Sequence, residues 1–417
     1  MVFFLVVTYI LTVISMASTN PIIDEEWESW KQEYGKSYPS MEEDQARKKI
    51  WLDNLEKIEA HNAQYRHGNS MYEMAMNRFG DLTPMEFEHL FTDARISEMA
   101  NYTEVALSDF GGTGRNHQIL DEIEDLAQFP KDVDWRRMGY VSNVKNQGYC
   151  LSCYAFTAVG ALEGQLARKT NQLVDLSVQN IIDCSDGYKN YGCNGGLPYR
   201  AFEYVRDHGI QSDQSYPYQA KRNNECLFNS SKSVTKVKGF RRIKSYTEKE
   251  LAELVANVGP ISVLIRSSHD SFKFYKSGIF ENVDCNSKKI DHSVLVVGYV
   301  DEHPKGYWII KNSWGTAWGE SGYMRLLMGE DLCNMEQPQL VFKCIFEKVA
   351  INEVTILETY HTIQKPVRDC QSSGSEELST TAVAMQPKYK IRLKTLIEVV
   401  SSGLKQSADF MLEVDQS

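Results

Sequence analysis

Apolar positions recur every three or four residues through much of the first ninety. Trp27 and Trp30 stand three apart in the charged stretch from Glu25 to Tyr34, which predicts a helix. From Met41 to Tyr65 the series Glu43, Arg47, Ile50, Trp51, Asn54, Ile58, Asn62 traces one side of a longer helix. Met71 to Met76 alternates weakly, as a short strand would. Thr83 followed by Glu86 has capping-box spacing and opens a helix through Phe87 and Leu90. Residues 93–126, with Gly111 to Gly114 among acidic and polar neighbours, read as an exposed linker, the kind of segment where nicking concentrates.

The texture changes from Phe129. Ser152 is placed to cap a helix that starts at Cys153 and carries Phe156, Val159 and Leu162 on its apolar side. Shorter helices are expected over Leu176 to Ile182 and Leu197 to Asp207, and Thr247 with Glu250 opens one running to Asn257. After Gly259-Pro260 the pattern turns to β-branched and aromatic runs: Ile261–Ile265, His292–Val300, Tyr307–Lys311 and Gly322–Leu327. Helices first and strands later predict an α+β unit with a helical half and a sheet half. Residues 349–417 carry no motif. They stay open between a genuine extension, a regulatory tail and the product of an irregular gene structure.

Composition narrows the class. With 417 residues, 42% hydrophobic and 24% charged, the chain is globular and long enough for two or three domains. The formal charge of −11 argues against a nucleic-acid partner. Val2 to Met16 is almost unbroken apolar sequence, short of the roughly 20 residues of a membrane span, with Ser15, Ala17 and Ser18 behind it. This reads as a secretory signal over 1–17, the alternative being a membrane anchor. The secretory route permits disulfides, and Asn101 and Asn229 head glycosylation acceptor motifs. Nine cysteines leave at least one thiol unpaired within the chain.

The sharpest chemistry lies in Asn146-Gln-Gly-Tyr-Cys-Leu-Ser-Cys-Tyr-Ala155. It sets Cys153 at a helix start, where free N–H groups and the helix dipole favour the thiolate, the reactive form of cysteine. His292 heads one strand, and Asn312 follows another in Lys311-Asn-Ser-Trp-Gly315. A Cys/His/Asn set brought together by folding is a known triad variant. Cys150-x-x-Cys153 as a redox pair lacks a βαβ context. Cys184 and Cys193 as metal ligands lack a second pair at zinc spacing.

At these residues the chain resembles the papain-like cysteine proteases, most closely the cathepsin L branch. The resemblance also rests on Val133-Asp-Trp-Arg136, Gly192-Cys-Asn-Gly-Gly196, Trp318-Gly319, the Glu43-to-Asn62 series (with Trp51 where Phe is usual) and Asn77-Arg-Phe-Gly-Asp81. It implies a two-lobed fold, a helical left lobe and a sheet right lobe, preceded by a helical inhibitory propeptide. The expected divisions are signal 1–17, propeptide 18–126 (helical over 24–92), protease domain 127–348 and extension 349–417.

By the same resemblance Cys153 is the nucleophile, His292 its ion-pair partner and acid, and Asn312 the residue that orients the imidazole beneath Trp314. Gln147 and the Cys153 N–H form the oxyanion hole, and Gly195 and Gly196 offer bare backbone to substrate. Leu197, Pro198, Leu264, Ile290 and Ser293 line an apolar pocket for the residue two before the scissile bond. The implied disulfides are Cys150–Cys193, Cys184–Cys226 and Cys285–Cys333, with Cys153 free and Cys344 and Cys370 left over. The chain is expected to be a monomeric endopeptidase zymogen of the lysosome or cell exterior. Its expected partners are protein and peptide substrates, its own propeptide and cystatin-like inhibitors, with no cofactor and no metal.

Three departures stand out: Leu151, Tyr154 and the sequence after Cys333. Leu151 occupies a position that is nearly always glycine, and a left-handed backbone there would cost a leucine roughly 1–2 kcal/mol. Tyr154 replaces the usual Trp. With the altered sequence after Cys333, Leu151 keeps a second reading alongside, a papain-fold peptide-binding or inhibitor protein with little turnover.

Overall fold

The computed structural model describes residues 21–93, 96, 130–240, 247–281, 289–302, 305–329 and 345–346. The proposed signal, most of the linker, Asn101, Cys285, Cys333, Cys344, Cys370 and the extension 349–417 lie outside these residues.

Two helices cross at the N-terminal end, α1 (Pro21–Tyr34) and α2 (Met41–Arg66). Trp27 and Trp30 stack with ring centroids 5.2 Å apart and meet Trp51 of α2, so the larger indole at 51 completes a buried aromatic cluster. The polar members of the α2 series satisfy backbone that would otherwise be orphaned. Asn54 Nδ2 donates to the Gly80 carbonyl at 2.8 Å. Asn62 exchanges two hydrogen bonds with the backbone of Met74. Arg47 bridges Glu43 and Glu86 at 2.7 and 2.8 Å. These contacts hold β1 (Tyr72–Met74) and α3 (Pro84–Phe91) against α2, and the Thr83–Glu86 capping box is fully formed.

The following lobe is built on α4 (Cys153–Thr170), buried over almost its whole length, with α5 (Val178–Cys184) and α6 (Pro198–Asp207) packed beside it. The disulfides Cys150–Cys193 and Cys184–Cys226 tie its loops. Ser152 precedes α4, but its hydroxyl does not cap the helix. It donates to the Cys150 carbonyl at 3.2 Å and bonds the Tyr218 hydroxyl at 2.9 Å, competing partners that the linear pattern did not reveal.

The second lobe is a sheet of seven strands: β1, β2 (Asp132–Asp134), β3 (Ile261–Ile265), β4 (Tyr275–Phe280), β5 (His292–Val300), β6 (Tyr307–Lys311) and β7 (Tyr323–Leu327). The order is β1-β4-β7-β6-β5-β2, with β3 also on β5; only β4–β7 is parallel. Helix α7 (Glu248–Val258) starts from a second complete capping box, Thr247 with Glu250. Small residues let α4 approach β5 closely: a Cβ on Gly160 would sit 2.8 Å from Leu295. Thr157 of α4 and Ser293 of β5 share a hydrogen bond of 2.7 Å where the lobes meet. That bond brings the first turn of α4 to the first residues of β5.

Candidate active site

Cys153 is the first residue of α4 and His292 the first of β5. Asn312 directly follows β6, whose last residue Lys311 pairs with Leu295 in β5 and Tyr323 in β7. Three element ends therefore converge. The Cys153 sulfur accepts the backbone N–H of Tyr154 and of Ser293, the chain neighbour of His292. His292 Nε2 lies 2.9 Å from Asn312 Oδ1. The Ser313 N–H also donates to that oxygen, at 2.7 Å, which fixes it as the acceptor. Nε2 must then carry the ring proton, leaving a lone pair on Nδ1, which has no hydrogen-bond partner among the described residues. Trp314 stacks on the imidazole at 4.8 Å and 26° and is itself buried, so water is kept from the His292–Asn312 bond.

Gln147 is fully buried. Its Nε2 donates to the Cys150 carbonyl at 3.2 Å, and its Oε1 accepts from Ser313 at 2.7 Å. In the loop that the Cys150–Cys193 disulfide ties to this segment, Gly195 has φ +95°, which suits glycine. A Cβ on Gly196 would meet Asn190 Oδ1 at 2.4 Å and the Tyr154 ring at 3.0 Å, so the interior leaves no room for a larger residue there. Leu197, Leu264 and Ile290 are buried in one apolar cluster with Cys153, with Pro198 and Ser293 buried beside them. Leu151 is not among the residues with left-handed backbone, so the expected strain is absent and its N–H simply bonds the Cys193 carbonyl at 3.0 Å. The strain at Leu151, one motive for the low-turnover reading, falls with it.

The cleft is closed by the chain's own N-terminal region. Phe79 packs edge to face on Phe87 and Phe91, which stack on each other, and Phe79 and Phe87 lie 5.5 and 5.4 Å from the Trp314 ring. Tyr72 of β1 rests on Tyr275 and Phe280 of β4. Asn77 donates to the Lys273 carbonyl, and Lys57 pairs with Asp270 at 2.7 Å. The Asp93 N–H donates to the Asp291 carbonyl at 2.7 Å, and Ile96 is buried in the cluster of Leu197, Leu264 and Ile290. The sequence reading missed Ile96, because a lone isoleucine in a linker carries no periodic signal. The spacing of Phe87 and Phe91 was visible, but not the partner they face.

Closure sets the charge state. Burial pushes the Cys153 thiol up to about 12, outweighing the two N–H donors, and the nearby Asp93 and Asp291 raise it further. Burial takes His292 down to about 4 despite Asn312. In the closed protein, loss of water thus works against the thiolate that the helix terminus favours. Among the described residues no group of three or more metal-type side chains converges.

Fold and site together define a thiol protease whose cleft is filled by its own leading segment. The papain family cysteine protease profile matches residues 129–342, and the cathepsin propeptide inhibitor domain (I29) profile matches residues 27–87. The chain is 43% identical to human cathepsin L2 over 309 residues, 73% of this chain and 87% of that protein. It is 41% identical to mouse cathepsin K, over 76% of this chain and 92% of that one. Among solved structures, digestive procathepsin L 3 of Tenebrio molitor larval midgut superposes with TM-score 0.64 at 37% identity, covering 77% of this chain and 98% of that one. The chain belongs to the papain family of cysteine proteases. It is a cysteine-type endopeptidase of cathepsin L-like kind, made as a zymogen with an intramolecular propeptide inhibitor.

Proposed function

We propose that Cys153, His292 and Asn312 form the catalytic set and hydrolyse peptide bonds through a thioester. The observation that carries this reading is the hydrogen bond from His292 Nε2 to Asn312, which leaves the Nδ1 lone pair open, in the strand whose next residue, Ser293, acts through its N–H on the Cys153 thiol. His292 Nδ1 takes the thiol proton. The sulfur then bonds the scissile carbonyl carbon, and the C–N bond breaks as the imidazolium returns its proton to the departing amine. Water, deprotonated by the same nitrogen, cleaves the thioester and frees the thiol. The Cys153 N–H and the Gln147 amide stabilise the oxyanion; for Gln147 this means exchanging its bond to the Cys150 carbonyl, and losing one such donor typically costs about 3–4 kcal/mol of barrier. Gly195 and Gly196 run beside the substrate backbone. Leu197, Pro198, Leu264, Ile290 and Ser293 receive an apolar side chain two residues before the cut, a reading supported by Ile96 lying in that cluster.

The chain is routed through the secretory pathway by residues 1–17 to the lysosome or cell exterior. It carries glycans at Asn101 and Asn229, the latter exposed at a turn, and has a third disulfide, Cys285–Cys333. It acts in acid as a monomer, is open to cystatin-like inhibitors, and sheds a propeptide that ends near residue 126.

The test converts the full chain by acid maturation, titrates it with a thiol-specific epoxide and assays peptide cleavage at acidic pH, beside Cys153→Ala. One equivalent of Cys153-dependent label with peptide turnover is expected. Turnover that survives Cys153→Ala, or none at all in the labelled-competent protein, overturns the assignment.

A further inference from the structure

Cys153 and Thr157 stand four residues apart on α4, so they share one face of the helix. A helical side chain leans back over the turn before its own Cα, here the turn that carries the sulfur. The Thr157 hydroxyl reaches the Tyr154 carbonyl of that turn at 3.3 Å. On the other lobe, Ser293 follows His292 in β5 and is paired with Leu264 of β3. Its hydroxyl lies 3.3 Å from the Val263 carbonyl and 2.7 Å from the Thr157 hydroxyl. Both side chains are buried.

The two hydroxyls hold two protons for three links: to the Tyr154 carbonyl, to each other and to the Val263 carbonyl. At 2.7 Å one hydroxyl must donate to the other, and the acceptor then has its own proton for a carbonyl. Whichever way the protons run, the link between the lobes is made. Around it α4 meets β5 through apolar contacts, as at Gly160 and Leu295. Apolar packing is non-directional and holds two elements together without fixing their register. The hydroxyl pair is directional, and it acts where register matters. The Ser293 N–H acts on the Cys153 thiol, and Ser293 is the chain neighbour of His292.

We infer that Thr157 and Ser293 are positioning residues: their shared hydrogen bond sets the start of β5 against the first turn of α4, and so holds the Ser293 N–H and the His292 imidazole in place for the Cys153 sulfur. This rests on Cys153 and His292 being the catalytic pair. Two buried hydroxyls that only satisfied each other would be replaceable by apolar groups of the same shape at little cost. A positioning pair is not, because small displacements of reacting groups are costly in rate. The other groups that bear on the charge of the sulfur are Asp291, Asp93 of the propeptide, Tyr154 and Tyr218. No variant used below alters them or His292.

The test uses acid-matured full-length protein, with kcat referred to sites titrated by a thiol-specific epoxide, so that unfolded protein is not counted. Thr157→Val keeps the shape of the side chain and removes the hydroxyl. It is expected to lower kcat about tenfold with KM within about twofold of native. The acid limb of Cys153 alkylation should move to higher pH, since a thiolate with a displaced N–H donor is harder to form. Thr157→Ser restores the hydroxyl and should bring both readings back. Ser293→Ala, which removes the same bond from the other side, should cost as much in kcat, and adding Thr157→Val to it little more. Native kcat with an unmoved alkylation profile in Thr157→Val, or losses from the two substitutions that simply multiply, overturns the inference and leaves the Cys153 assignment standing. Turnover that survives Cys153→Ala overturns both.

Discussion

Phe79→Ala is the substitution that bears most directly on how the cleft is closed. Phe79 is 1% exposed, with ring centroids 5.1 Å from Phe87, 4.7 Å from Phe91 and 5.5 Å from Trp314. Truncating a buried phenylalanine typically costs about 3–5 kcal/mol. Two of the three ring contacts lie within the propeptide and one crosses to the protease, so not all of that cost falls on docking. Taking between one third and all of a 3 kcal/mol loss gives about 1–3 kcal/mol, which multiplies the open population roughly 5- to 150-fold. The assay is the rate of Cys153 labelling by a thiol-specific epoxide in the unprocessed chain at neutral pH, where closed protein hides the sulfur. Phe79→Leu, which keeps most of the apolar volume, should accelerate labelling far less. A change under threefold in a Phe79→Ala protein with native circular dichroism would refute the idea that these rings are the plug.

Asn312→Ala removes the acceptor that holds the His292 ring; a buried hydrogen bond of this kind is worth about 1–3 kcal/mol, so kcat should fall roughly 5- to 150-fold with KM little changed. An equal effect on KM, read from steady-state kinetics, would mean that Asn312 touches substrate instead. The two sides of the Lys57–Asp270 pair should behave unequally. Lys57→Ala loses a half-exposed ion pair worth about 1 kcal/mol or less and should barely alter the acid midpoint of activation. Asp270→Asn also takes the carboxylate from fully buried Lys273, at 2.9 Å, leaving that ammonium the Leu82 carbonyl at 3.3 Å, and should open the zymogen at milder acid than Lys57→Ala does. Burial alone would raise the Asp270 carboxyl, but Lys273 and Lys57 hold it below the usual carboxylate range. Its contribution to closure is thus present above the ordinary carboxylate pKa and lost as pH falls through the depressed value. Activation followed by gel shift against pH checks both variants, and identical midpoints in the two would contradict this division.

The local rules carried a long way. Both capping boxes formed, because Thr83–Glu86 and Thr247–Glu250 are self-contained bargains between side chain and backbone within one turn. The β-branched run from His292 to Val300 became the strand at the centre of the lobe, and the Cys/His/Asn positions were readable as types at element ends. What stayed hidden was whatever depends on a distant partner. The Ser152 hydroxyl was drawn to Cys150 and Tyr218 and does not cap its own helix. Gly196 answers to Asn190 and Tyr154 in the interior. Gly278, at φ +100°, also has no room for a Cβ, which would strike the Met71 carbonyl at 2.3 Å, a contact that exists only once β1 lies on β4. The charge on Cys153 depends on such a partner too: a helix terminus favours a thiolate, while burial in the closed protein pushes the thiol pKa up.

That last point is the claim on which the rest turns, and the pH dependence of Cys153 alkylation before and after maturation tests it. In the unprocessed chain, with the thiol pushed up to about 12 and His292 down to about 4, alkylation by iodoacetamide should be slow and rise steadily with pH. After maturation, rehydration should lower the first and raise the second, giving fast alkylation already in acid and a flat rate up to neutrality, abolished as a plateau in His292→Ala. A matured protein whose alkylation still climbs with pH towards an ordinary thiol pKa of about 8.5, with or without His292, would contradict it.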